Sequence, residues 1–173
     1  MRIVAGRWRG RRIDAPSGDL VRPTADRVRE AWLSRVQLHV ADARVLDLYA
    51  GSGALGFEAL SRGASSVDFV ESHPVSLRTI EANAALLGAA GFTIHRSDAD
   101  RFVAGLAAEA YDLAFADPPY AQGRAESLAA AWLETPFARV LGIEHESRVR
   151  MPAGGDTRRY GTTSITLYRL PDA

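Results

Sequence analysis

From Arg44 onward the chain alternates short, β-branched apolar runs with stretches of helical pattern, and the first of these runs leads straight into a glycine-rich turn: Leu46-Asp47-Leu48-Tyr49-Ala50-Gly51-Ser52-Gly53-Ala54-Leu55-Gly56. Parallel strands cannot be joined by a tight turn, so this rhythm specifies a parallel sheet with crossover helices. The pattern predicts strands at 44–49, 66–71, 92–96, 111–116, 139–144 and 164–169, and helices at about 54–62, 74–88, 99–108 and 124–134. His73-Pro74 marks one helix start, and Gly63 and Gly88 suit helix ends. Arg158-Arg159-Tyr160-Gly161 precedes a last apolar alternation, which predicts a turn and an antiparallel edge. The expected class is α/β, a doubly wound and mostly parallel sheet with an antiparallel C-terminal strand.

Residues 1–43 stand outside that rhythm. Ile3-Val4-Ala5-Gly6 and Arg12-Ile13-Asp14 flank Arg7-Trp8-Arg9-Gly10-Arg11, which predicts a small β-ribbon with a basic, aromatic tip. Pro23-Thr24 then opens a helix running to about Val40, with Thr24 as its N-cap. The expected organisation is an N-terminal ribbon and helix, 1–43, packed on a core of 44–173.

At 173 residues and 47% hydrophobic the chain can bury one substantial core. With no cysteine, disulfides, thiolate metal sites and thiol nucleophiles are excluded. No segment approaches the roughly 18 consecutive apolar residues of a membrane span, so a cytoplasmic protein is expected. Net charge is zero but unevenly spread. Residues 1–35 hold nine arginines against four acids, a balance of +5, while 36–147 stand at −8 and 148–173 at +3. All 21 basic residues are arginine, the better fork for phosphates and base edges. His39, His73, His95 and His145 lack metal-ligand spacing and read as structural or surface residues.

In a doubly wound sheet, ligands bind beyond the carboxyl ends of the central strands. Four features fall there: Asp47 to Gly56, Glu71, Asp98, and Asp117 to Tyr120. Gly51-Ser52-Gly53 to Gly56 forms a G-x-G-x-x-G, and Glu71 lies twenty residues beyond Gly51, which is the pattern of a dinucleotide site. Asp47, however, stands at the strand end, where it would repel a pyrophosphate and attract a cationic ligand. S-adenosylmethionine, with an ammonium and a sulfonium, is such a ligand; an NAD oxidoreductase shares only the glycines. On this reading Glu71 accepts from a ribose diol and Asp98 meets the adenine amino group, unless Glu71 is a solvated strand end and Asp98 a helix N-cap.

Ala116-Asp117-Pro118-Pro119-Tyr120 follows the apolar run 111–115. Asp117 precedes proline and is driven to extended backbone, and Pro118 and Pro119 have fixed φ and no N–H. The result is a stiff bend offering acceptors only, beside the flat face of Tyr120. Its partner is a planar ring carrying an amino group, whose N–H bonds strengthen to these acceptors as positive charge develops on nitrogen. In the N-terminal part, Arg7, Arg9 and Arg11, interleaved with Trp8, suit phosphates and an unstacked base, and Arg22, Arg27 and Arg29 add charge near it; otherwise Trp8 packs on the sheet beneath a solvated ribbon.

With both sites in place the chain resembles class I S-adenosylmethionine-dependent methyltransferases of the [D/N]-P-P-[Y/F] type, and more narrowly the RsmD family, which methylates N2 of a guanine in 16S ribosomal RNA. The residues carrying the resemblance are Arg2 to Arg11, Arg22-Pro23-Thr24 with Arg27-Val28-Arg29-Glu30, Leu46 to Gly53, Asp117 to Tyr120, and Arg159-Tyr160-Gly161. It implies a Rossmann-like class I methyltransferase fold. It also implies a cofactor site lined by Asp47, Gly51, Ser52, Gly53, Glu71, Ser72, Asp98 and Ala99, catalytic residues Asp117, Pro118, Pro119 and Tyr120, and RNA contacts from Arg7, Trp8, Arg9, Arg11, Arg22, Thr24, Arg27 and Arg29. Ribosomal RNA or the small subunit is the implied partner, for a monomer without a metal. The segment 135–139 departs from the family in lacking a glycine-rich turn. A DNA-adenine or protein-glutamine methyltransferase shares the acceptor bend, and a non-catalytic ribosome-assembly protein shares the basic ribbon.

Overall fold

The computed structural model describes residues 1–16, 23–120 and 122–171, with 23–25 described by backbone alone. Along the chain run α1 (Pro23–Val36), a 3₁₀ turn (Gln37–His39), β1 (Arg44–Leu48), α2 (Ala54–Ser61), β2 (Ser66–Glu71), α3 (Pro74–Leu87), β3 (Phe92–Arg96), α4 (Ala99–Val103), β4 (Tyr111–Ala116), α5 (Arg124–Glu134), β5 (Ala138–Glu146), β6 (Asp156–Tyr160) and β7 (Thr163–Arg169). The strands form one seven-stranded sheet in the order β3-β2-β1-β4-β5-β7-β6. β1 to β5 pair in parallel, and β7 is antiparallel to both β5 and β6. Strand order reverses between β1 and β4, which opens a crevice at their carboxyl ends.

Alternation along the strands supplies two apolar faces. On one, Val45, Phe69, Phe115, Val140 and Ile165 meet Trp32, Leu33 and Val36 of α1, Phe57 of α2 and Ile80 of α3. On the other, Leu46, Leu48, Ala114, Leu141 and Ile143 meet Val103 of α4 and Leu128, Ala129 and Trp132 of α5. Helices therefore cover both faces of the sheet.

Several boundaries differ from the sequence reading. Tyr49 takes φ +55 and so closes β1 at Leu48. Helix α1 begins at Pro23, which fits the first helical position, so Thr24 stands inside the first turn rather than capping it. A 3₁₀ turn replaces its last residues, and α4 stops at Val103, well short of 108. The C-terminal hairpin turns between β6 and β7 at Gly161, φ +68.

Residues 1–13 double back as the expected ribbon. Arg2 bridges Arg12, and the N–H groups of Ile3 and Gly10 donate to the carbonyls of Arg11 and Ile3 at 2.9 and 2.8 Å. The ribbon is seated on α2, where the buried Glu58 carboxylate accepts from the N–H groups of Val4 and Ala5, each at 2.9 Å, and from Arg62. Ser61 Oγ accepts from the Trp8 N–H at 3.0 Å and donates to the Ala5 carbonyl. Gly6 takes φ +81 against the Ser61 carbonyl, where a Cβ would lie 1.8 Å from the oxygen, so only glycine fits. Ile3, Trp8 and Ile13 join the same apolar cluster as β1.

Candidate active site

Register and alternation together build the site. Asp47 of β1 stands opposite both Phe69 of β2 and Phe115 of β4, and Phe115 stands opposite Gly142 of β5. In parallel strands, residues in register share a face, and so do residues two apart on one strand. One step further along that face come Glu71 after Phe69, Asp117 after Phe115, and Glu144 after Gly142. Asp47, Glu71, Asp117 and Glu144 all line a single cavity of about 1100 Å³ at the carboxyl edge of the sheet.

On the β1 side the glycine loop is held from both flanks. Gly51 and Gly53 take φ +57 and +78, and a Cβ on Gly53 would lie 2.7 Å from the Phe57 ring. Gly51 N–H donates to Glu71 Oε2 at 2.9 Å, and the N–H groups of Ser72 and His73 donate to Glu71 Oε1 at 2.8 Å. Glu71 is thus fixed by three backbone donors with lone pairs left over for a ligand. Asn83 Nδ2 secures the carbonyl of Ser52 at 2.9 Å. Asp47, 2% exposed, accepts the Gly56 N–H at 2.9 Å, so part of its work is to tie β1 to the first turn of α2. Burial holds its carboxyl well above the ordinary range, and the nearby Asp117 and Glu71 add to the rise.

Ser52, Ser72, Asp98 and Ala99 also line the cavity, whereas Gly53 does not: its missing Cβ makes room for the Phe57 and Phe69 rings of the core. Asp98 is the N-cap of α4, accepting from the Arg101 N–H at 3.1 Å, and its second oxygen pairs with Arg124 at 3.4 Å. Those bonds hold its carboxyl below the ordinary range, the Arg101 N–H most of all. The helix-cap alternative therefore describes Asp98, and the adenine contact expected of it competes with Arg124. Arg124 also pairs with Asp100 at 3.2 Å, and Asp100 accepts from the Tyr49 hydroxyl at 2.9 Å. This link across the cavity, from α5 to α4 and the β1 loop, has no motif in the sequence.

On the β4 side the Asp117 side chain opens onto the cavity, and its carboxyl has no hydrogen-bond donor among the described residues. Surrounding protein, and secondarily the charge of Glu144, push it up to about 8. Glu144 is raised as well, by burial. The Tyr120 hydroxyl donates to Glu144 Oε1 at 3.0 Å and lies 3.0 Å from Thr163 Oγ1. This anchors the ring beside the bend while leaving it 48% exposed. Pro118 and Pro119 line the same wall. Sequence reading missed Glu144; its signal was an acid at the end of the fifth strand, the same position that singled out Glu71.

The basic surface is smaller than expected. Trp8 is only 8% exposed, with Arg7 stacked 4.1 Å over its ring, so the indole belongs to the core and has no face for a base. Arg29, also 8% exposed, donates to the Arg2 carbonyl at 3.1 Å and forms an ion pair with Asp26 at 3.0 Å, tying α1 to the N-terminus instead of presenting charge. Arg7, Arg9, Arg11 and Arg27 are exposed. Arg22 and the side chain of Thr24 lie outside the described residues. Among the described residues no three His, Cys, Asp or Glu are grouped to hold a metal, and no helix is long and apolar enough to cross a membrane. His145 is buried between the Glu146 carbonyl and Thr166 Oγ1, at 2.9 and 2.8 Å.

Comparison with known proteins agrees with this layout. The chain is 40% identical to the Ribosomal RNA small subunit methyltransferase D of Escherichia coli K12, across 98% of this chain and 88% of that protein. Its identity to the Haemophilus influenzae protein of the same name is 31%, across 98% and 92%. A solved hypothetical protein of Thermus thermophilus superimposes with a TM-score of 0.83 at 28% identity, covering 98% of this chain and 99% of the other. The T. thermophilus 16S rRNA N2 G1207 methyltransferase RsmC, solved with AdoMet and guanosine, shares the fold with a TM-score of 0.69 at 20% identity, covering 90% and 45%. The family model described as Conserved hypothetical protein 95 matches residues 1–169. Ribbon, glycine loop and D-P-P-Y bend all fall within that match, and the chain belongs to this family, the RsmD methyltransferases.

Proposed function

We propose that this chain transfers the methyl group of S-adenosylmethionine to the exocyclic N2 of a guanine in small-subunit (16S) ribosomal RNA, in the bacterial cytoplasm. The observation that carries the reading is the shared cavity, walled on one side by Asp117, Pro118 and Pro119, the prolines without N–H groups, and on the other by Gly51 and Ser52.

The residues present fit the cofactor. Glu71, immobilised by three backbone N–H groups, offers oxygens to a ribose diol. Gly51 and Ser52 bring the loop backbone to the cavity wall, and the acidic wall of Asp47 and Asp117 favours a cation. When bound, S-adenosylmethionine supplies a methyl group on cationic sulfur, which departs as a neutral thioether when N2 displaces it. Asp117 accepts an N2–H bond, returns electron density to the nitrogen, and takes the proton that N2 sheds once it carries the methyl. Tyr120 presents a flat, anchored ring for the base to stack on, a contact worth about 1 to 3 kcal/mol. Fixed φ at the two prolines holds these groups in place, so positioning is a large part of the rate.

Exposed Arg7, Arg9, Arg11 and Arg27 favour a nucleic acid over a protein glutamine as the substrate. The test is transfer of radiolabelled methyl to small ribosomal subunits from cells lacking this protein, followed by mapping of the modified nucleotide. Label on one guanine N2 is the expected result; label elsewhere, or none, overturns the reading.

A further inference from the structure

The proposed reaction uses Asp117, Glu71, the glycine loop and Tyr120, and leaves Glu144 in the same cavity with no task beyond anchoring the Tyr120 ring. Glu144 follows Gly142 on β5 as Asp117 follows Phe115 on β4, and Phe115 and Gly142 are paired. Carrying the register one step on brings the two acids abreast at the mouth of the cavity. Only one Glu144 oxygen is engaged, by Tyr120; the described residues supply no donor to Oε2. Asp117 likewise has none. Two acceptors side by side without donors call for a ligand edge with adjacent N–H groups.

An independent observation lies beneath them. Trp32 of α1, 1% exposed, lines the cavity, and its Nε1 donor has no partner among the described residues. Its ring packs edge-on against Phe115, and a Cβ on Gly142 would lie 2.3 Å from Nε1, so the indole occupies the face from which both acids project. A buried, unsatisfied N–H is costly, which sets this indole apart from the rest of the core. The wall therefore offers two acceptors side by side, with the Trp32 indole, its N–H closed to solvent, packed behind them. The Watson–Crick edge of guanine offers the complement to the two acceptors, N2–H beside N1–H. Adenine places a lone pair at N1, and 2-aminopurine keeps the 2-amino group while presenting the same lone pair.

We propose that Glu144 is the specificity-determining residue of this site, its free oxygen accepting N1–H and so selecting guanine over purines that carry an amino group but no hydrogen on N1. Asp117 holds the reacting N2, and Glu144 checks the atom beside it. A purine with an unprotonated N1 meets a carboxylate lone pair to lone pair and loses a hydrogen bond at the same time.

The inference rests on the guanine-N2 reading and is tested on the guanine mapped there. Small-subunit RNA is prepared by ligation with that guanine either retained or replaced by 2-aminopurine, assembled into subunits, and methylated by wild type, Glu144→Gln and Glu144→Asp. Wild type is expected to favour guanine by at least about tenfold in kcat/KM. In Glu144→Gln the carboxamide turns its NH₂ toward N1 of 2-aminopurine, and the preference shrinks about tenfold or more. Glu144→Asp keeps a charged acceptor and keeps the preference. Both variants should bind S-adenosylhomocysteine as wild type does, which shows an intact fold. A guanine to 2-aminopurine ratio unchanged in Glu144→Gln, with wild-type methylation of guanine intact, overturns the assignment to Glu144. Absence of any wild-type methylation of guanine overturns instead the reading on which it rests.

Discussion

The Gly56 N–H donates to the carboxylate of Asp47 at 2.9 Å, so the acid that borders the glycine-loop side of the cavity also fastens the helix that follows that loop. Asp47→Ala leaves that buried N–H without an acceptor, a loss of about 1 to 3 kcal/mol. A lower melting temperature and weaker S-adenosylhomocysteine binding by calorimetry are expected. Asp47→Asn, which keeps a carbonyl acceptor, should recover most of the melting temperature.

In the proposed reaction Asp117 must be ionised to accept from an amine and take its proton, and its carboxyl stands at about 8 where an ordinary aspartate stands near 4. Activity should therefore climb as pH rises toward about 8 and level off above it. The groups facing Asp117 are Glu144, Tyr120 and Asp47. Removing the charge of Glu144 as Gln should move the rise in kcat/KM to lower pH. A wild-type profile flat between about pH 6 and pH 9 would contradict the role given to Asp117.

The same group has a predictable effect on stability. Its folded value lies above its unfolded value, so the stabilisation tied to its proton is complete below about pH 4 and fades as pH approaches about 8. Asp117→Asn remains neutral throughout. It should melt higher than wild type at pH 8, the gap closing toward pH 4, while methyl transfer falls at least about a hundredfold. Equal melting temperatures at pH 8 would mean that the carboxylate is not penalised by its surroundings.

Gly56 packs against the sheet so tightly that a Cβ would lie 2.3 Å from the Phe69 ring and 2.8 Å from Val67. Gly56→Ala should cost about 1 to 3 kcal/mol by overpacking, read as a shifted urea midpoint at unchanged slope.

The ribbon depends on one buried carboxylate. Glu58→Ala strips the acceptor from two backbone N–H groups and from Arg62. Faster proteolytic cleavage within residues 1–13 is expected, with weaker RNA binding and unaltered cofactor affinity. Replacing Arg7, Arg9 and Arg11 together by Ala should instead leave the fold intact. It should lower the salt dependence of RNA binding by roughly 0.7 per lost phosphate contact.

The sheet was legible because parallel strands buried on both faces read as continuous apolar runs, and β1 to β4 fall within a residue of the sequence pattern. The glycine loop and the proline bend were legible because each demands residue types that few other structures need. Glu144 left only a trace, an acid closing the fifth apolar run, because its place beside Asp117 comes from pairing between β4 and β5, a relationship formed only in three dimensions. Trp8 looked like a stacking platform because its neighbours are arginines; what buries it is α2, over fifty residues away, through Ser61. Arg29 carried a signal that went unused. It stands three, four and seven residues before Trp32, Leu33 and Val36, and so lies on the buried stripe of α1.

Helix α2 is gripped at one end by the ribbon, through Glu58 and Ser61, and at the other carries the loop that begins at Gly51. An eight-residue rod of this kind is about 12 Å long and barely compressible. On the proposed reading it acts as a ruler: the spacing between the place where RNA is caught and the place where the methyl donor waits is written in helical rise, and a lengthening of that rod by one turn would displace the two sites by about 5.4 Å.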